Sequence, residues 1–251
     1  PPNTRQRTCP GDILVVFRSL TSVASRVREV FTQFGIPFYL DATPLVAAAP
    51  AIKTLIDLLQ LDADDWPFRR LIAVLTNNML TAFDADARRN AEWLVRDLQI
   101  ASGRTAAIGR TQSLANDPSA SGERSEHLER RAAAAKGALP TMTKLATALG
   151  ALPKEATATE WCAALVELGA TLGLELFTVR PTESVNVDQA AWRSVQVNCA
   201  ALERLDAWLG RPPRKLNRDA FLKTLRDIAT NTSLPLTHNE SGRVRILTAT
   251  A

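Results

Sequence analysis

The sequence predicts a mostly α fold with a small α/β part, and three observations point there. An apolar run at 13–17 and an extended segment at 36–40 flank a short helical pattern. From residue 44 to about 232 the apolar spacing is helical almost throughout. A new strand-like run then follows at 244–248.

Ile13-Leu14-Val15-Val16-Phe17 reads as a buried strand, closed by Arg18-Ser19. Thr21 or Ser22 can cap the next helix, whose apolar positions are Val23, Val27, Val30, Phe31 and Phe34, with Gly35 as its stop. Pro37 places the segment 36–40 at a sheet edge or a strand start. Strand, helix and strand in 28 residues form a βαβ-like unit, for which parallel pairing is expected.

The helical stretch opens with 45–61, which carries Ile52, Leu55, Ile56, Leu58 and Leu59. A polar turn at 62–65 leads to a helix over 66–76 and another over 84–100. Residues 102–122, rich in Gly, Ser, Thr and Asn, read as a loop. The Ala-rich stretch 122–150 reads as helix interrupted near Gly137 and Pro140. Thr157 and Glu160 have capping-box spacing ahead of Trp161, Leu165 and Leu168. A long helix over 187–209 carries Trp192, Val195, Leu202, Leu205 and Trp208, and Asn217 caps a last helix over 220–229. After a turn at Ser241-Gly242, a strand at 244–248 returns. A chain that leaves a sheet, builds a helical body and re-enters a sheet has an insertion topology. Three strands with one helix cannot cover both faces of a parallel sheet, so the chain reads as part of a larger protein.

Composition narrows the function classes. The 251 residues are 46% hydrophobic and 22% charged, with no apolar run of 18 residues and no apolar leader at the start. Cys9, Cys162 and Cys199 are too scattered for a disulfide framework, and with His127 and His238 they offer no zinc-ligand spacing. A reducing, cytoplasmic setting and no membrane association are the expectation. The net charge is +4, and of 30 basic residues six are Lys and 24 Arg. Two readings stand: a GC-rich genome, or Arg used on phosphates.

No phosphate-cradling G-x-x-x-x-G-K-[ST], no G-x-G-x-x-G and no G-x-S-x-G occurs, and no Lys has an acid two residues before it. No catalytic residue, cofactor site or metal site is therefore assigned. Asp62, Asp64 and Asp65 read as a helix-joining turn rather than a metal site, Cys162 and Cys199 as core, and His127 and His238 as surface. The densest basic cluster is Arg211, Arg214, Lys215 and Arg218, stiffened by Pro212-Pro213. A second group is Arg124, Arg130 and Arg131, and a third Arg104 and Arg110. Each is either a solvated face or a phosphate contact. Arg18 ends a strand at the carboxyl edge of the sheet, where α/β sheets place ligands.

The stretch ILVVFRSLTSVASRVREVFTQFGIPFYL (13–40) resembles the second RecA-like domain, 2A, of superfamily 1 helicases of the UvrD/RecB type. AAPAIKTLIDLLQLDADDWPFRRLIAVL (48–75) is similar to the opening of the inserted helical domain 2B. ATEWCAALVELGATLGL (158–174) and LNRDAFLKTLRDI (216–228) resemble later 2B helices of AddB-type helicase-nuclease subunits. SGRVRILTATA (241–251) resembles the strand that returns into 2A. The Gly-rich entry into 2B of UvrD helicases is replaced by Asp41-Ala42-Thr43-Pro44-Leu45, which leans toward the AddB or RecC type. The resemblance implies a partial RecA-like parallel sheet carrying a large helical insertion: 2A at 1–43 and 236–251, 2B at 44–235. It implies a non-catalytic piece of an ATP-dependent DNA helicase/exonuclease of double-strand-break repair, with ATP and Mg²⁺ handled elsewhere in the larger protein. DNA, duplex or single-stranded, and a helicase-nuclease partner subunit are the implied partners. The alternative is a degenerate helicase-like scaffold that binds a protein partner.

Overall fold

The computed structural model describes residues 8–20, 23–41, 44–99, 101–116, 126–178, 183–234 and 242–249. Its chain divides into two compact units, one formed by Pro1–Pro44 with Ser233–Ala251 and one by Leu45–Thr232.

Among the described residues the smaller unit holds a three-stranded sheet and one α-helix: β1 (Leu14–Phe17), α1 (Ala24–Gln33), β2 (Phe38–Leu40) and β5 (Val244–Thr248). The strand order is β1-β5-β2. Leu14 to Phe17 pair in parallel with Arg245 to Thr248, and Phe38 to Leu40 with Val244 to Ile246. The segments at 13–17 and 36–40 thus share a parallel sheet but do not pair with each other, because β5 lies between them. β2, preceded by Pro37, is an edge strand as expected. Side-chain alternation sets the core: Val15 and Phe17 of β1 pack with Val23, Val27 and Phe31 around buried Leu20, Leu40, Val244 and Ile246. The intervening Leu14 and Val16 are half exposed on the other face, which corrects the expected buried strand: β1 is covered on one face only, by the α1 side of the core. Leu234 N donates to Pro44 O at 2.8 Å, holding the two crossing strands of chain together at the edge of this unit.

The larger unit is helical: α2 (Pro50–Ala63), α3 (Phe68–Leu75), α4 (Ala85–Asp97), α5 (Arg104–Asn116), α6 (Glu126–Gly150), α7 (Ala158–Leu172), α8 (Glu175–Thr178), α9 (Glu183–Trp208) and α10 (Arg218–Asn231). A two-stranded antiparallel ribbon, β3 (Glu155–Ala156) with β4 (Leu216–Asn217), joins distant loops. Val46 N donates to Thr232 O at 2.9 Å, so this unit begins and ends at one point. Its core includes Ile52, Leu55, Leu58 and Leu59 of α2, and Trp161 stacked on Phe221 with ring centroids 4.9 Å apart. The Trp161 indole N–H donates to Leu216 O at 2.8 Å, fixing β4 to α7. Cys162 and Cys199 are buried between α7 and α9, and their mutual hydrogen bond, then burial, pushes the Cys162 thiol up. Asp188 of α9 is buried and accepts from Ala51 N at 3.0 Å, satisfying a free amide in the first turn of α2. Among the described residues, no helix is long and apolar enough to cross a membrane.

Two further local expectations are corrected in the helical unit. The expected loop at 102–122 contains α5. Its buried stripe Ala107, Thr111 and Ala115 recurs every four residues and packs on α6, and Thr111 Oγ1 donates to Ala107 O at 2.8 Å. The cap of α5 is remote: Asp65 Oδ1 accepts from Arg104 N at 2.9 Å. The expected interruption near Gly137 and Pro140 is absent, since α6 runs through both. Pro140 faces water, and buried Leu128, Ala135, Ala138, Met142, Leu145 and Leu149 outweigh the one lost backbone bond. Gly137 lies against Asn90 of α4, where a Cβ would overlap the side-chain amide nitrogen. The Thr21/Ser22 cap, His238 and Ser241 lie outside the described residues.

Candidate nucleic-acid interface

The densest basic cluster occupies the connection between α9 and α10. α9 ends in a left-handed turn at Gly210 (φ +67°), with Gly210 N donating to Ala207 O at 3.0 Å and Arg211 N to Asp206 O at 2.9 Å. Asp206, buried on the last turn of α9, accepts from Arg214 Nε at 3.0 Å and from Arg214 N at 3.2 Å. The Arg214 guanidinium holds the Asp206 carboxyl below its ordinary range. The chain then enters β4, and Asn217 Oδ1 accepts from Ala220 N at 2.9 Å to cap α10, as its sequence predicts. The loop carrying the basic residues is thus pinned at both ends.

The four cluster residues divide by role. Arg211 and Lys215 are exposed. Arg214 is exposed too, but its Nε is held by Asp206. Arg218 is largely buried and forms an ion pair with Asp62, whose side chain is only 5% exposed. Burial pushes the Arg218 guanidinium down, and its other amino group donates to Leu152 O at 3.5 Å. Asp62 also binds Arg104 at 3.3 Å, and Asp64 binds Arg70 at 2.8 Å. Asp62, Asp65, Arg104, Lys154, Asn217 and Arg218 line a cleft of about 560 Å³. The acidic cluster at 62–65 therefore serves as ion-pair partner and helix cap. These residues do not fit an ATP–Mg²⁺ site: no glycine-rich phosphate loop is present, and Asp62 and Asp64 are engaged by Arg.

The second basic group lies on α6, facing α4. Arg130 sits over the Trp93 ring, 5.0 Å from its centroid. Arg131 Nε binds Asp97 Oδ2 at 2.6 Å, and His127 Nε2 lies 3.6 Å from Asp97 Oδ1. Arg124 lies outside the described residues. Arg18 is exposed at the carboxyl end of β1.

Helical spacing alone misplaced several residues: Val30 of α1, Phe34 at its C-terminal end and Leu205 of α9, each counted as an apolar position, are exposed. Trp208, counted with the apolar positions of its helix, is 83% exposed, next to the basic loop. Its position on the last turn, just before Leu209-Gly210-Arg211-Pro212-Pro213, was the available signal.

No family model matches the chain. Over 72 residues the chain is 28% identical to the B subunit of the ATP-dependent helicase/deoxyribonuclease of Leuconostoc citreum, covering 29% of this chain and 6% of that protein. Over 123 residues it is 25% identical to the B subunit of the same name from Pelotomaculum thermopropionicum, covering 47% of this chain and 11% of that protein. The chain thus spans a small part of the length of these relatives. It is similar, over less than half of its own residues, to part of the B subunit of an ATP-dependent helicase/deoxyribonuclease.

Proposed function

We propose that this chain is a non-catalytic part of an ATP-dependent DNA helicase/exonuclease of double-strand-break repair, acting in the cytoplasm and contributing DNA contact and domain architecture. In this reading the sheet-bearing unit is part of motor domain 2A, and the helical unit is its 2B insertion. One observation carries it. The strand after the helical unit, β5, pairs in parallel between the two strands that precede that unit, in a chain similar to a helicase/deoxyribonuclease B subunit. ATP and Mg²⁺ act elsewhere in the larger protein, and a partner subunit completes the assembly.

For DNA contact, Arg211 and Lys215 are the phosphate-facing members of the basic cluster, because Arg214 and Arg218 are held by Asp206 and Asp62. A motor contacts any sequence, so these contacts go to phosphate and release counterions. Binding of the 251-residue chain to a random duplex is measured across a salt series. The double variant Arg211→Ala/Lys215→Ala is expected to bind more weakly and to flatten the log K against log salt slope by up to about 2. Equal affinities and slopes would remove the patch from the reading. ATP turnover by the purified chain, surviving repurification, would overturn its non-catalytic part.

The half-exposed Leu14 and Val16 on the open face of the sheet favour a second reading, a helicase-like scaffold that holds a protein partner. No binding of DNA by the wild type at low salt would select it.

A further inference from the structure

We propose that Trp208 is a stacking platform for an unpaired base of single-stranded DNA, with Arg204, Arg211 and Lys215 taking the flanking phosphates. The proposal rests on the DNA-contact reading above and adds the form of DNA that this face selects.

Trp208 is set apart by its exposure. Trp66, Trp161 and Trp192 are buried, and Trp93 lies beneath Arg130. Trp208 alone among the five tryptophans presents most of its surface to water, at 83%. Burying an indole is among the most favourable uses of such a side chain, so an open one beside charges is a feature to explain.

The backbone that carries Trp208 is fixed on both sides. Trp208 stands on the last turn of α9, closed by the Gly210 turn and the Arg211 N to Asp206 O bond. Asp206 holds Arg214 through both its backbone and its side chain, Pro212-Pro213 stiffens the span between, and β4 anchors the far end on β3. A platform held on fixed backbone loses little freedom when a base settles on it.

The exposed charges nearest in sequence are positive. Arg204 lies one turn before Trp208 on the same helical face, and Arg211 and Lys215 follow it; all three are exposed. The two acids nearest in sequence are already engaged. Glu203 accepts from Thr159 N at 2.9 Å and from Thr159 Oγ1 at 2.7 Å, and Asp206 is held by Arg214. What faces solvent is an aromatic ring beside the partly exposed Leu205 and Leu209, with cations before and after it in the chain, an arrangement that suits a single strand: a base on the apolar ring, phosphates on the cations. A protein interface of the same size would have to bury or displace those cations. A duplex keeps its base faces stacked inside, so only an unpaired base can use the indole face.

The test uses the 251-residue chain with two probes, an oligo(dT) strand about 16 nucleotides long and a blunt random duplex of about that length. Trp208→Ala is expected to weaken strand binding roughly 5- to 150-fold and to leave duplex affinity within about twofold. Trp208→Phe, which keeps an aromatic face, is expected to retain most of the strand affinity. It also removes most of the tryptophan-emission quenching that the strand produces. Wild-type strand affinity in the Trp208→Ala protein would overturn the platform while leaving the phosphate reading intact, and would make the exposed ring a protein contact. Equal weakening of strand and duplex would also overturn it. Failure of the wild type to bind either probe at low salt would overturn both this inference and the DNA-contact reading. Circular dichroism of each variant separates a lost contact from a lost fold.

Discussion

Arg214 reaches back eight residues to Asp206, giving one buried carboxylate both its backbone N–H and its guanidinium. This contact decides where the basic loop stands. A carboxyl whose folded value is below its unfolded value contributes stability that is fully present above the unfolded value. That contribution is lost as pH falls through the folded one. Asp206 starts from an ordinary value of 3.8 and is lowered, so its contribution fades on acidification below that value. Asp206→Asn is expected to unfold more easily at neutral pH and to lose less stability on acidification than the wild type. Its Arg211 and Arg214 amides are expected to exchange faster with deuterium. Urea titrations at several pH values and hydrogen exchange check this.

Arg218 is a structural cation. Removing it leaves the Asp62 carboxylate in a largely dry site with Arg104 as its remaining partner. Arg218→Met is expected to cost about 3 kcal/mol, the range for breaking a buried pair from one side. The double variant Arg218→Met/Asp62→Leu is expected to recover most of it, because the charge it leaves without this partner, Arg104, is 41% exposed and solvated. Chemical denaturation of the two singles and the double closes the cycle.

Gly169 of α7 gives its space to Phe177, whose ring stands edge-on to Trp192 at 5.3 Å. A Cβ at 169 would overlap the edge of that ring. Gly169→Ala is therefore expected to destabilise by about 1–3 kcal/mol despite the better helix propensity of alanine. Gly169→Ala/Phe177→Leu is expected to be more stable than Gly169→Ala. Thermal melts of both proteins test the order.

Asp188 has the opposite sign to Asp206. Burial, its largest influence, raises it, and the Ala51 N–H opposes this in part. A carboxyl raised by folding carries a penalty at pH above its folded value, and that penalty is relieved as pH falls through it. Asp188→Asn keeps an acceptor for Ala51 and removes the buried charge. It is expected to match or exceed wild-type stability at about pH 7 and to lose this rise on acidification. Asp188→Ala, which leaves the α2 amide without its partner, is expected to cost about 1–2 kcal/mol. Urea midpoints at about pH 7 and about pH 5 distinguish the two.

The legible parts of the fold were those coded locally. The Thr157/Glu160 box and the Asn217 cap each put their signal within a few residues of their effect, whereas the apolar run at 13–17 marks the strand but not that its Leu14 and Val16 face is open. The α5 helix escaped because its cap is Asp65, far back in the chain, and its buried face is small residues rather than large apolar ones. The continuity of α6 escaped for a related reason: a proline on a solvated face costs one bond, and only tertiary packing shows that the rest of the helix outweighs it. The basic cluster was visible as composition, but its division was not. Nothing near Arg218 in sequence announces Asp62, and nothing in the period of α9 tells that Trp208 faces water.

The central strand of the small sheet is the last of its three to leave the ribosome. β1 and β2 have no ladder with each other, so both wait with open edges until 244–248 has been made. Closing a chain of about 200 residues freely would add about 3 kcal/mol over closing one of about ten. The Val46–Thr232 bond removes that handicap, since a helical unit that has already folded delivers residue 233 beside residue 45. Folding order is thereby written into topology: the helical unit assembles first, and β5 then completes the sheet by pairing with both waiting strands. A circular permutant opened within the helical unit is expected to lose that order, refolding slowly through species with unpaired strand edges even where its final stability is unchanged.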